Sequence, residues 1–157
     1  MAIIERTADI AASVQQVYRA SQDYAVRYQW DPFPERIEVV AGDPERLSIG
    51  TRVLVRSKLG MRMLVEFVQV KPPTHAAIVM IDGPWFLAKF AGSWVFEASA
   101  ASRTAARFRY SIFVRPAFAR WIIEPLAIRY FADVVERRLA GLKAYCERLG
   151  DDPMPSI

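Results

Sequence analysis

The sequence predicts an α+β fold: a curved antiparallel sheet of about seven strands wrapped around a long C-terminal helix, with a shorter helix after strand 1. Three observations carry it. Ile122 to Leu149 reads as one amphipathic helix. From Arg36 to Arg115 the hydrophobic period is two, over six strand-length runs. Between an N-terminal strand and those runs, Ser13 and Gln16 form a capping box that opens a second helix.

The elements follow in order. Ile3 to Ile10 is a short strand. In the helix after it, Val14, Val17, Tyr18, Ser21, Tyr24, Ala25 and Tyr28 share one face, opposite Arg19, Gln22, Asp23 and Arg27. Trp30-Asp31-Pro32-Phe33-Pro34 ends it, because two prolines cannot continue a helix and push their predecessors to extended geometry. Strands are expected over Ile37 to Ala41, Thr51 to Lys58, Met61 to Lys71, Ala76 to Ile81, Phe86 to Ala98 and Thr104 to Val114. Connections as short as Leu59-Gly60 and Asp82-Gly83-Pro84 imply an antiparallel meander. In the last strand Phe108, Tyr110, Ile112 and Val114 oppose Arg103, Arg107 and Arg109, so one sheet face is apolar and the other wet and cationic. The terminal helix sets Ile128, Phe131, Val134, Val135, Leu142, Tyr145 and Leu149 against Arg129, Asp133, Glu136, Lys143 and Glu147. Arg138 alone breaks its apolar stripe. Residues 150–157, with two prolines, read as a loose tail behind a single domain over 1–149.

The composition is that of a globular chain: 157 residues, 53% hydrophobic, 24% charged and 12% aromatic, enough apolar side chain for a generous core or a lined cavity. One cysteine, Cys146, excludes an internal disulfide framework and fits a reducing compartment. With no basic-then-apolar leader and no run approaching the roughly 20 apolar residues of a transmembrane helix, a soluble cytoplasmic protein is expected. The span Thr51 to Arg115 holds ten Lys or Arg against three acids, so the middle of the chain is its basic part.

Certain stretches carry a family likeness: Tyr28-Gln29-Trp30-Asp31-Pro32-Phe33, then Arg36-Ile37-Glu38-Val39-Val40, Ile49-Gly50-Thr51-Arg52-Val53, Gly92-Ser93-Trp94-Val95-Phe96, and Leu142-Lys143-Ala144-Tyr145 closing the last helix. In this order and spacing, from Ala2 to about Glu147, the chain resembles the START-like helix-grip (SRPBCC) superfamily, and within it the polyketide cyclase/dehydrase and lipid-transport group. The resemblance implies the helix-grip fold. That superfamily includes lipid carriers, ubiquinone-binding proteins, plant hormone receptors and polyketide aromatases, so the resemblance leaves the activity open.

Candidate site residues follow from that architecture. Trp30, Met63, Phe67, Met80, Trp85, Phe90, Trp94, Phe108, Tyr110, Tyr130 and Phe131 are expected to wall a ligand cavity between sheet and C-terminal helix, with the loop Gly83-Pro84-Trp85-Phe86 as its gate. Arg138 is either a cation meeting a carboxylate, phosphate or enolate on the ligand, or a structural charge paired with an acid such as Glu66 or Glu97. Asp31, Asp82 and Tyr110 are the acid or base candidates of a cyclase-type site. His75, the only histidine, sits at a turn, and Ser57, Ser93 and Ser111 have no histidine partner, which disfavours a nucleophilic triad. No metal cluster and no phosphate loop is visible, so no metal or cofactor is expected. Arg103, Arg107 and Arg109 lack the interleaved aromatics that single-strand binding wants, so no nucleic acid is expected. The expected partner is a small hydrophobic or amphipathic molecule (lipid, polyketide-like or isoprenoid-like), bound by a monomer or weak homodimer. A polyketide cyclase, aromatase or dehydratase using the same cavity is the alternative.

Overall fold

The structure is a computed structural model describing residues 2–32, 34–43, 46–57 and 60–151. Seven strands form one antiparallel sheet: β1 (Ala2–Ile10), β2 (Pro34–Ala41), β3 (Arg52–Ser57), β4 (Arg62–Lys71), β5 (His75–Asp82), β6 (Leu87–Ala100) and β7 (Arg103–Val114). β2 to β7 run as a meander and β1 returns beside β7, giving the order β1-β7-β6-β5-β4-β3-β2. The expected sheet, long C-terminal helix and shorter helix after strand 1 are all present. Strand limits differ from the sequence expectation by three residues at most, at the start of β2.

The first helical region departs from expectation. It is two helices, α1 (Val14–Gln22) and α2 (Tyr24–Trp30), separated by Asp23 in extended geometry with ψ 105°. The Ser13–Gln16 capping box opens α1 as expected. The break at Asp23 resets the helical phase. Tyr28, expected inside, is exposed and its hydroxyl accepts from the Ile37 amide at 2.7 Å. Arg27, expected in solvent, is buried.

The C-terminal helix α3 (Arg120–Asp151) follows a short 3-10 turn at Ala117–Ala119 and includes Gly150 and Asp151, expected in the tail. The remainder of that tail, Phe33 and Leu59 lie outside the described residues. Phe131, Val134, Val135, Leu139, Leu142, Tyr145 and Cys146 are buried along α3, which packs on β1 and β7 and crosses α1 and α2. Coverage of the apolar sheet face is therefore uneven. α3 lies over the β1–β7 half, and Val53, Val65, Phe67 and Ala76 on β3 to β5 form a separate small core against Tyr18 and Tyr24.

Candidate functional site

Where α3 stops covering the sheet, a cavity of about 90 Å³ opens between the sheet and the α1–α2 segment. Ile37, Val55, Met63, Val65, Phe67, Ile78 and Phe90 contribute to its apolar wall, and Gln22, Tyr24 and Arg27 roof it. Gly92 belongs on this wall for a steric reason: a Cβ there would stand 3.1 Å from the Tyr110 ring. Of α3, only Arg138 lines the cavity among the described residues, so the space expected between sheet and C-terminal helix is roofed instead by α1 and α2.

An aromatic floor leads to that arginine. Trp94 stacks on Phe108 with centroids 3.9 Å apart, and Tyr110 meets Phe108 edge-on at 4.8 Å. The Arg138 guanidinium lies over the Phe108 ring, 5.0 Å from its centroid. Its Nε and Nη2 donate to Asp31 Oδ2 at 3.1 and 2.9 Å, and Nη1 donates to the Tyr110 hydroxyl. Arg27 Nε reaches the same Asp31 oxygen at 3.1 Å. Two guanidinium groups thus share one buried carboxylate. Arg138 is at once a paired charge and a cavity residue, and its partner is Asp31 rather than Glu66 or Glu97. Glu66 pairs with Arg52 on the far side of the sheet, and Glu97 is exposed.

Burial sets the electrostatics. It lowers the proton affinity of the Arg27 guanidinium, an effect the charge on Arg138 reinforces and Asp31 opposes. Burial would lower Arg138 too, but Asp31 and Tyr110 more than offset it and hold this guanidinium above its ordinary value. Arginine stays protonated in either case. Burial also raises the Tyr110 phenol despite Arg138 beside it, so Tyr110 is neutral at physiological pH. A neutral phenol accepting from Arg138 keeps its own hydrogen to donate.

The α2–α3 crossing positions this cluster. Trp30 Nε1 donates to the Ala20 carbonyl at 2.9 Å, and its ring meets Trp94 edge-on. Gly141 lets α3 approach the Trp30 backbone, because a Cβ there would overlap the Trp30 carbonyl oxygen. Asp31 follows directly in sequence, so the closeness of this crossing fixes where the carboxylate points.

Of the residues expected to wall the cavity, the structure brings together Met63, Phe67, Phe90, Trp94, Phe108, Tyr110 and Arg138. Trp30 and Phe131 are buried behind the lining, and Met80 lies against Gly83 beyond it. Trp85 is 69% exposed and, with Tyr130, faces a separate outer groove. Asp82 is exposed, and His75 sits half-buried against Thr74, its Nδ1 2.8 Å from Oγ1. Arg27 escaped sequence reasoning through the phase error at Asp23, whereas Tyr24, expected on the inner face, reaches the cavity without having been named as a site residue. The signal available was the four-residue spacing from Arg27 to Asp31, which suits an ion pair on one helical face. Among the described residues no group of three His, Cys, Asp or Glu could hold a metal, and no helix is long and apolar enough to cross a membrane.

Comparisons with known proteins agree with the fold. A comparison with curated proteins found no match. Among solved structures the chain is similar to a START superfamily protein from Mycobacterium smegmatis (12% identity, TM-score 0.78, covering 94% of this chain and 98% of that one). It is similar to the Zhui aromatase/cyclase from Streptomyces sp. R1128 (17%, TM-score 0.77, 99% of both chains). A norcoclaurine synthase from Thalictrum flavum is a more distant likeness (17%, TM-score 0.62, 88% of this chain and 94% of that one). Identities this low carry the fold alone. A family model matches residues 1–147, nearly the whole chain, and with it the chain belongs to the polyketide cyclase / dehydrase and lipid transport family.

Proposed function

We propose that this protein binds a small amphipathic molecule with an acidic head in the cavity beneath α1 and α2. The division of the cavity wall carries this reading. Apolar side chains from β2 to β7 line most of it, while the guanidinium groups of Arg27 and Arg138 and the Tyr110 hydroxyl gather at one side. The described lining contains neither a carboxylate nor an imidazole, so its charged groups are donors suited to an anionic acceptor. Apolar burial contributes about 25 cal/mol per Å² before ordering costs. The volume of about 90 Å³ is below the ~150 Å³ that encloses a benzene ring. The head and the first atoms of the ligand therefore fill it, and a longer body displaces Met61 and Met63, whose unbranched side chains yield readily.

Calorimetric titration with octanoate and with octanol tests the reading. The carboxylate is expected to bind at least about tenfold more tightly, since a charge-assisted hydrogen bond is roughly twice as strong as a neutral one. Arg27→Met is expected to erase that preference while octanol binding stays. Equal affinity for the two probes would remove the acidic head from the proposal.

One observation favours a second reading, the cyclase or aromatase. A phenol hydrogen-bonded to a guanidinium at a cavity wall is suited to donate to a carbonyl oxygen as it becomes an enolate. Tyr110→Phe separates the two: it would abolish turnover of a polyketide-like substrate in an enzyme and leave binding within a few-fold in a carrier.

A further inference from the structure

Among the described residues, four of the five most exposed large apolar side chains (Phe118, Trp121, Trp85 and Leu126, Ile49 being the fifth) belong to one surface that the cavity does not explain. Phe118 is 83% exposed, Trp121 76% and Leu126 64%, with Ile122 beside them. They come from the 3-10 turn and the first turns of α3, where spacings of three and four residues align Phe118, Trp121, Ile122, Pro125 and Leu126 on one outward stripe. Trp85 reaches the same surface from the β5–β6 loop. It shares with Leu126 a groove built from Met61, Phe86, Ile123 and Tyr130. Arg115 ties the two segments together, donating from Nε to the Trp85 carbonyl at 2.6 Å and from its amide to the Phe86 carbonyl at 2.9 Å.

A contiguous patch with two tryptophans and a phenylalanine at its surface marks a contact site rather than surplus core. Charge selects the occupant. Residues 115–130 carry Arg115, Arg120 and Arg129 against the single acid Glu124. A two-fold pairing of this patch with a second copy would bring the same arginines face to face, which disfavours self-association. A layer of anionic headgroups neutralises them, and beneath that layer lies an apolar phase for the side chains. Tryptophan suits such a boundary because its ring is apolar and its N–H prefers the wet side.

We infer that the surface formed by Trp85, Phe118, Trp121, Ile122 and Leu126 seats on an anionic lipid bilayer. Met61 gives the contact a direction: its flexible side chain borders both the outer groove and the internal cavity. The docking inference stands on the outer surface, and its test leaves every cavity residue unchanged.

The protein carries its own probe. Of its four tryptophans, Trp30 and Trp94 are buried, while Trp85 and Trp121 lie in the patch. The full chain is titrated with vesicles of phosphatidylcholine alone and of phosphatidylcholine with phosphatidylglycerol, with and without brominated acyl chains. Emission is expected to shift to the blue and be quenched by bromine, with at least about tenfold tighter binding to the anionic vesicles and weakening in salt. Trp121→Ser combined with Leu126→Ser is expected to abolish the shift. Arg129→Gln, at an exposed position, is expected to lower affinity about fivefold with an unchanged thermal melt. Absence of capture by anionic vesicles, equal capture by neutral ones, or capture surviving the double substitution would each overturn the inference. So would a dimer in light scattering that Trp121→Ser dissociates, which would assign the patch to a second copy.

Discussion

Gly141 lies within α3, where alanine is ordinarily the better residue by about 1 kcal/mol. The crossing with α2 reverses that sign. A Cβ at Gly141 would overlap the Trp30 carbonyl oxygen and stand 3.3 Å from its carbon, against an optimal separation of about 3.5–4.0 Å. The obstructing atom belongs to backbone, so no side-chain rotation relieves it. Overpacking of this kind costs about 1–3 kcal/mol, occasionally more. The helix-propensity gain opposes that cost, so Gly141→Ala is expected to lower stability by up to about 2 kcal/mol, or up to about 8 °C in Tm for a chain of this size. Urea titration followed by circular dichroism reads it as a lower midpoint with an unchanged slope. The same displacement moves Asp31, so the carboxylate preference in ligand binding is expected to fall as well. A Gly141→Ala protein more stable than the parent would refute the close approach, and with it the account of how Asp31 is placed.

Two further outcomes follow from the buried groups. Asp31→Asn leaves two buried guanidinium groups without their shared counter-charge and is expected to cost about 3–5 kcal/mol, read by the same urea titration; a loss below about 1 kcal/mol would mean that solvent or other groups carry the pair. Burial, with the Glu147 carboxylate adding to it, pushes the Cys146 thiol up to about 12. A raised folded value makes this contribution full below the ordinary thiol range and loses it as pH climbs from there towards 12. Cys146→Ala is therefore expected to flatten the alkaline fall in stability, and the native thiol to resist disulfide reagents at pH 8 until the chain unfolds.

The architecture was legible because it rests on periodicity. Alternation over the strands and the stripe of α3 need only the residue types on each face, and seven strands with a covering helix follow from them. The polar site was only half legible. Arg138 announced itself as a charge in an apolar stripe, but its partner did not, because Asp31 is 107 residues away and nothing local pairs the two. Arg27 was misplaced outright. A single residue in extended geometry, Asp23, breaks the helix, and a helical wheel drawn through that break exchanges the sides of Arg27 and Tyr28. The outer position of Trp85 was hidden for a related reason, since apolar content says nothing about which way a loop folds back.

The polar and apolar parts of the candidate site are built by different physics. The aromatic wall belongs to the sheet, where alternate residues of hydrogen-bonded neighbours such as Trp94 and Phe108 are set opposite each other by register. The donor cluster belongs to the crossing of α2 with α3, where Arg27, Asp31 and Arg138 are held by helix packing and by the missing side chain at Gly141. Substitutions on the wall at Phe67 or Ile78 alter the shape and volume offered to the ligand body, leaving the cations in place. Substitutions at the crossing alter the head-group preference and the stability together, because the same contacts serve both. On this division, Phe67→Ala is expected to admit bulkier apolar ligands while preserving the octanoate-over-octanol ratio. Gly141→Ala is expected to do the reverse, degrading the ratio with little change in the size of ligand accepted. If both substitutions shift size and head-group preference alike, wall and crossing are one mechanical unit and the separation argued from their contacts fails.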